Sequence, residues 1–477
     1  MAERWVSGSR MRALLGTSPF LSPVYRDLAD RIRMLVIDGR LGHEVRLPSE
    51  RELSDVLALS RTTVAGAYAD LRDRGYLTAR RGAGNFVSLS QPRATSPMLP
   101  DGVDEGAAVI GLSSACAPAP PGVAHAFARA VEDLPSLLAG HGYLPDGLER
   151  LREELAQWYV RRGLDTSADQ IVITAGALSA LNIVARTLLR SGDRVLMETP
   201  TYPNAIEAIR RNGGRPVGFP VSADGWDDEA FTVALRQTAP RLTYLIPDFQ
   251  NPTGACMDEQ TRQHVAQTLQ AHGSIPVVDE TLVELSLDSQ RMPLPLAAFS
   301  SEVITLGSAS KAFWGGLRIG WIRAPRHLVR PLVTVRAALD LGAAPLEQQV
   351  TAELISQPTA ILDFQRRRFA ARRDHLVAEL AAFPVWELIR PTGGLALWVT
   401  LPEQQATRLV VAAERHGLAL NSGTSFHVET GGERHLRLPF TSAEDVLTEA
   451  VRRLARAYQD IRSGAPEPVS PGLRLTA

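Results

Sequence analysis

Ser308-Ala-Ser-Lys311-Ala-Phe-Trp-Gly-Gly-Leu-Arg318-Ile-Gly320 contains the only lysine of a 477-residue chain; the other 50 of its 51 Lys-plus-Arg positions are arginine. A guanidinium stays charged at any working pH. A lysine amine loses its proton when burial or a nearby cation depresses its pKa, and then acts as nucleophile or Schiff-base partner. The stretch sets this amine between small hydroxyl residues and a Gly-Gly-Leu-Arg turn, unlike a solvated surface lysine. Lys311 therefore reads as a chemical residue; the compositional alternative, the last lysine of an arginine-rich chain, is weakened by that setting.

Upstream of it, short apolar runs alternate with helical spacings, the pattern of an α/β domain with a mainly parallel sheet. Ile171-Val-Ile-Thr feeds the turn Ala175-Gly-Ala-Leu-Ser and a helix expected from Ser179 to Leu189. Free N–H groups at such a helix start suit an anion. Val195-Leu-Met-Glu-Thr-Pro-Thr-Tyr202-Pro puts an aromatic after a strand, and Tyr244-Leu-Ile-Pro-Asp-Phe-Gln-Asn251-Pro-Thr-Gly254 puts an amide after another. Ile275-Pro-Val-Val-Asp279 ends a third on a carboxylate, and Val303-Ile-Thr-Leu-Gly-Ser308 leads into Lys311. Strand C-termini of an open parallel sheet converge on one crevice, so these residues are expected to share a site. Anion cradle, flat aromatic, amide, carboxylate, amine and arginine are what pyridoxal phosphate requires. Its phosphate takes N–H groups, hydroxyls and an arginine; its aldehyde takes a lysine; its ring nitrogen takes a carboxylate. Singly, residues such as Tyr202 and Asn251 are more often turn and packing residues than cofactor contacts, and Asp279 has the alternative of a helix cap.

These motifs, in this order, resemble the fold-type-I aminotransferases of subgroup I: a Thr-x-Gly turn, Pro-x-Tyr, Asn-Pro-x-Gly, a strand-end Asp, then Ser-x-Ser-Lys with arginine seven residues on. The resemblance covers roughly residues 140–440. It implies that Lys311 forms the Schiff base with pyridoxal phosphate, that Asp279 pairs with the ring nitrogen, that Asn251 bonds the ring oxygen and that Tyr202 stacks on the ring. Ala177, Leu178, Ser308, Ser310 and Arg318 would hold the phosphate. Arg437, in His435-Leu-Arg437-Leu-Pro-Phe, would clamp an amino-acid carboxylate, a bidentate task suited to guanidinium. Three departures stand out: Thr281 or Leu282 where a tyrosine is usual, Gly315-Gly316 for Pro-Gly, and Leu178 for glutamine. They bear on cofactor tuning and turnover more than on binding.

The first ninety residues read differently. Apolar Leu28, Ile32, Leu35 and Val36 give a helix over Tyr25–Asp38 ending at Gly39, and Pro48-Ser-Glu-Arg-Glu opens another. Leu59-Ser-Arg-Thr-Thr-Val begins a third, stopped at Gly75, and Tyr76 to Val87 reads as two strands around the glycine-rich Arg80-Arg81-Gly82 turn. Leu47-Pro-Ser-Glu-Arg-Glu-Leu, Ser60-Arg-Thr-Thr-Val and Leu71-Arg-Asp-Arg-Gly-Tyr-Leu resemble the winged helix of GntR-family repressors. That resemblance assigns Arg51, Ser60, Arg61, Thr62 and Thr63 to the DNA-reading helix region and Arg80, Arg81 and Gly82 to the wing. Residues 1–95 hold 15 Arg against 10 Asp plus Glu, a basic module on a chain of net charge −1, as a polyanionic partner requires.

The expected organisation is a winged helix over residues 1–90, a Pro/Ala/Ser/Gly-rich linker over 91–120, and the aminotransferase-like domain over 121–477. Its fold class is α/β, with a smaller C-terminal subdomain. Gly111-Leu-Ser-Ser is a candidate start of that domain. Two distant cysteines, Cys116 and Cys256, make no disulfide framework and fit a reducing compartment. No apolar run is long enough to span a bilayer and no signal peptide is legible, so the expected location is cytoplasmic. The combination resembles the MocR/GabR-like subfamily of regulators. The resemblance implies a head-to-tail homodimer that binds a double-stranded DNA operator and senses pyridoxal phosphate, an amino acid or an amine. Two alternatives stay open: a working aminotransferase with a fused DNA-binding domain, and a DNA-binding protein whose body has lost the cofactor.

Overall fold

The structure, a computed structural model, describes residues 5–16, 19–37, 40–42, 44–80, 84–88 and 109–463. Its N-terminal module runs α1 (Gly8–Leu15), α2 (Val24–Ile37), α3 (Glu50–Leu57), α4 (Arg61–Asp73), β1 (Leu77–Arg80) and β2 (Gly84–Val87). Serines set both helix starts of the α3–α4 turn. Ser49 accepts from the Glu52 amide and Ser60 from the Thr63 amide, satisfying N–H groups that a helix start leaves orphaned. Leu28, Ile32, Leu53, Val64, Tyr68 and Leu71 are fully buried between the helices, each contributing roughly 1.5–3 kcal/mol of apolar transfer. β1 and β2 pair antiparallel, Leu77 opposite Val87 and Arg80 opposite Gly84. The module is a winged helix-turn-helix. The expected helix stop at Gly39 lies outside the described residues, as do Arg81 and Gly82 of the wing turn.

β3 (Ile110–Gly111) precedes the body. There, β4 (Ile171–Thr174), β5 (Arg194–Thr199), β6 (Arg215–Ser222), β7 (Gly225–Trp226), β8 (Leu242–Leu245), β9 (Ile275–Asp279), β10 (Ile304–Ser308) and β11 (Gly320–Arg323) form one sheet in the order β4-β11-β10-β9-β8-β5-β6-β7. Strands β10, β9, β8, β5 and β6 are parallel; β11 and β7 run against their neighbours. β4, β8 and β10 are buried along their whole length, as a sheet covered by helices on both faces demands. β5, β8, β9 and β10 all end at one edge, which brings Tyr202, Asn251, Asp279 and Lys311 to a common crevice.

A smaller subdomain follows. β12 (Glu387–Leu388), β13 (Ala396–Thr400), β15 (Asn421–Ser422) and β16 (His435–Pro439) make an antiparallel sheet in the order β12-β13-β16-β15. β14 (Leu418–Ala419) pairs instead with β3, parallel. Helices Thr359–Leu380, Ala406–Arg415 and Glu444–Ser463 pack over it around Phe369, Leu376, Leu409, Leu436 and Leu454. Met34 of α2 is buried in this same cluster, so the N-terminal module sits on the small subdomain. Among the described residues no helix is long and apolar enough to cross a membrane.

Candidate functional site

One end of the crevice gathers a helix start, a guanidinium and a hydroxyl. The helix expected from Ser179 begins two residues earlier, at Ala177. Gly176, at φ +96°, turns the chain directly from β4 into the helix, and this leaves Ala177 and Leu178 in the first turn with amides facing outward. A Cβ on Gly320 would lie 2.5 Å from the Gly176 carbonyl carbon, so only glycine lets β11 approach that turn. Arg318, held at a left-handed φ of +52°, donates to the Ala175 carbonyl at 3.1 Å. No acidic side chain pairs with it among the described contacts. Ser308 caps the short helix that carries Lys311, its hydroxyl accepting from the Ser310 amide at 3.1 Å. Helix start, unpaired guanidinium and hydroxyl together fit a phosphate.

Asp279 and Lys311 occupy the crevice floor. Asp279 Oδ2 accepts from the Tyr244 hydroxyl at 2.7 Å, and Oδ1 from the Thr281 amide at 2.9 Å. Burial pushes its pKa up; those two donors and the Lys311 charge oppose the shift. A carboxylate so buried fits a protonated ring nitrogen, a cation that would pair with it directly. Burial likewise pushes the Lys311 amine down, aided by Arg437 and Arg318 and opposed by Cys116 and Asp279. That is the condition under which an amine becomes a nucleophile.

Above the floor stands Arg437 on β16, 5% exposed. Its Nη1 reaches Asn251 Oδ1 at 3.4 Å and its Nη2 donates to the Ser113 carbonyl at 2.7 Å, while its buried Nε has no partner among the described residues. Phe426 lies flat beneath it, 5.0 Å from the guanidinium carbon to the ring centre. Burial lowers its pKa to about 10, with Tyr202 and Cys116 acting the other way. A buried guanidinium without a carboxylate is costly unless an anion reaches it, and a ligand carboxylate would meet that need.

A strap of backbone crosses between the two cations. Ile110 and Gly111 pair with Leu418 and Ala419; Ser113 O accepts from Asn421 as well as Arg437, and Ala115 O accepts from Lys311 at 2.9 Å. Residues 109–120, within the stretch expected as linker, are thus built against the body. Cys116 sits at the strap's end, exposed, near enough to perturb Lys311, Arg437 and Tyr202. Neither the strap's contacts nor the roles of Asn421 and Tyr244 are legible in the sequence. Tyr244 alone left a signal, a hydroxyl-bearing residue inside the apolar strand Leu242-Thr-Tyr-Leu.

On the N-terminal module, Arg51, Ser60, Arg61 and Thr62 are exposed and Thr63 half-buried. The Ser60 hydroxyl is engaged with Thr62, Thr63 and the Thr63 amide at 2.7–3.0 Å, so it orders the start of α4. Arg80 pairs with Glu44 at 2.7 Å and covers the Phe86 ring. The described site residues thus form two groups: the crevice set and this outward face.

Residues 120–454 match the family described as aminotransferase class I and II, and residues 24–87 match the bacterial regulatory proteins of the gntR family. The uncharacterized HTH-type transcriptional regulator YisV of Bacillus subtilis is 26% identical over 470 residues, 91% of this chain and 96% of that protein. The probable rhizopine catabolism regulatory protein MocR of Rhizobium meliloti is 28% identical over 417 residues, 82% of this chain and 81% of that one. Among solved structures, the α-aminoadipate aminotransferase LysN of Thermus thermophilus, complexed with N-(5'-phosphopyridoxyl)-L-leucine, superposes with a TM-score of 0.68 at 29% identity. The match covers 75% of this chain and 94% of that one. The family and this phosphopyridoxyl-bearing neighbour imply use of pyridoxal phosphate.

Proposed function

The chain belongs to the aminotransferase class I and II family and carries a gntR-family DNA-binding domain ahead of it, and from that premise we propose that it is a transcriptional regulator. Its crevice senses pyridoxal phosphate, alone or with an amino acid or amine, and its winged helix binds an operator in double-stranded DNA. Bound pyridoxal phosphate supplies an aldehyde carbonyl and an electron-withdrawing ring. Ala177, Leu178, Ser308, Ser310 and Arg318 bind its phosphate, Asp279 keeps a proton at the ring nitrogen, Asn251 and Tyr202 orient the ring, and Lys311 offers the amine. Arg437 takes the ligand's carboxylate.

One observation carries the regulatory reading: the DNA-binding module rests on the subdomain that bears Arg437. Arg33 of α2, 7% exposed, donates to Glu414 at 2.8 Å, and Arg415 lies 3.9 Å from Asp30. Lys311 and Asp279 belong to the other subdomain. A ligand that touches both Lys311 and Arg437 sets the angle between the subdomains, and the module follows its support. Such a ligand biases DNA binding only through unequal affinity for two arrangements.

Exposed Tyr143 and Leu341 flank a close backbone approach, Gly342 against the Leu144 carbonyl. This apolar patch supports the homodimer, whose head-to-tail arrangement remains part of the proposal. Arg51, Arg61, Thr62 and Thr63, with Arg80, Arg81 and Gly82 of the wing, are assigned to DNA contact.

The crevice set favours a second reading, a working aminotransferase. Both are tested by measuring, on the full chain at fixed salt, operator binding and turnover with and without pyridoxal phosphate and a panel of amino acids. Ligand-dependent, sequence-specific binding with little turnover supports the regulator; many turnovers with an amino acid and a keto acid, and DNA affinity indifferent to ligand, support the enzyme.

A further inference from the structure

We propose that Glu198 is the positioning residue of the crevice, holding in register the two loops that present Tyr202 and Asn251. The proposal rests on the pyridoxal phosphate reading above and adds a residue to it.

Glu198 lies on β5, fully buried, and touches none of the groups assigned to the ligand. Its Oε1 accepts from the Trp226 indole at 2.9 Å and from the Ile246 amide at 3.1 Å; its Oε2 accepts from Gln250 Nε2 at 3.0 Å. The same Gln250 nitrogen donates to the Pro200 carbonyl at 2.8 Å. Gln250 Oε1 takes both the Thr253 amide and its hydroxyl, and the Gln250 backbone closes the turn through Ala255 and Gly254. One carboxylate thus fixes one amide, and that amide ties the Pro200 loop to the Asn251 turn. Tyr202 is two residues beyond Pro200, and Asn251 is next to Gln250.

All three partners of Glu198 are donors, which suits the ionised form; among the described residues no cation faces it. The charged and titratable groups around it are Asp279 from β9 and Tyr244 from β8. Burial first, and Asp279 as a lesser cause, push its pKa up to about 7. Protonated, the acid takes its hydrogen on Oε2, which has a free lone pair, and a neutral hydroxyl oxygen accepts more weakly than a carboxylate does. Oε2 has the single partner Gln250, so the proton loosens the link between the loops. Ligand affinity therefore gains a component that rises with pH through about 7, where the ionised form takes over.

Glu198→Gln carries a permanent amide hydrogen where the protonated acid has its own, so it mimics the low-pH state. Pyridoxal phosphate is titrated into stripped full-length wild type, Glu198→Gln and Gln250→Met, following the Lys311-dependent absorbance at about pH 6 and about pH 8. The expected result is near-equal affinity of wild type and Glu198→Gln at the lower pH and about tenfold weaker binding by the variant at the higher, the loss of roughly one hydrogen bond. Gln250→Met, which removes the tie while keeping the volume, is expected to bind weakly at both and to lose the wild-type pH step. A variant-to-wild-type ratio that is the same at both pH values, with the step kept in Gln250→Met, overturns the proposal and leaves Glu198 a packing residue. Wild type without any Lys311-dependent absorbance overturns the ligand reading itself, and this proposal with it.

Discussion

The Lys311 amine donates to the Ala115 carbonyl at 2.9 Å, across 196 positions of sequence, and so ties the chain's one lysine to the segment leading away from the DNA-binding module. The first prediction concerns that amine. Lys311→Ala should abolish the absorbance of bound pyridoxal phosphate, while Lys311→Arg should not restore it, since a guanidinium keeps its proton. Burial shifts the amine downward, so the rate of cofactor attachment should rise with pH and level off below the range of a free lysine, about 10.4. Stopped-flow absorbance across pH checks both sign and position.

Arg437→Ala should leave that absorbance in place and weaken carboxylate-bearing ligands by about 2–3 kcal/mol, the value of a charge-assisted pair in a dry site. Amines without a carboxylate should lose far less. Calorimetry with an amino acid and its decarboxylated analogue separates the two; equal losses would remove the clamp role.

Gly320→Ala should displace the phosphate turn, because the new Cβ would meet backbone atoms of Gly176 and Ala177 at 2.5–2.6 Å and backbone cannot swing aside as a side chain can. Pyridoxal phosphate affinity is expected to fall at least about tenfold, roughly 1.4 kcal/mol, with the DNA-binding module unaffected. Retained affinity would place the phosphate elsewhere.

Arg61→Ala should cost about 1–3 kcal/mol of specific DNA binding and relax preference at one base position, if the side chain reads a base edge. A uniform loss across sequences with a shallower salt dependence would make it a phosphate contact instead. Competition binding at two salt concentrations distinguishes them.

Glu414→Gln removes the charge that faces Arg33 at 2.8 Å and should reduce the effect of ligand on DNA affinity without altering ligand affinity. Arg33 keeps Asp30 at 3.6 Å, so the stability loss should be modest, about 1–2 kcal/mol. An undiminished ligand effect would show that coupling runs by another route.

Much of the fold and of the crevice is legible in the sequence. Ile171–Thr174, Ile275–Asp279 and Ser60-Arg-Thr-Thr announce themselves because apolar runs, strand-end carboxylates and hydroxyl caps are local patterns with local causes. The strap was not legible. Ser113 and Ala115 act through backbone carbonyls, and a carbonyl has no letter of its own in a sequence. Glu198 and Tyr244 were missed for a related reason: their roles depend on register between β5, β8 and β9, which pairs residues tens of positions apart. The seat of the module on the small subdomain was equally hidden, since Arg33 and Glu414 look like any two charged residues on helix surfaces.

A chain with one lysine has one side chain at which reductive trapping can fix an aldehyde. Borohydride treatment in the presence of pyridoxal phosphate should therefore mark a single internal peptide, the one around Lys311, with no background from surface amines on other side chains. Mass measurement of that internal peptide then counts crevice occupancy, and the same count taken in the presence of operator DNA reads the coupling between the two ends of the molecule in the reverse direction.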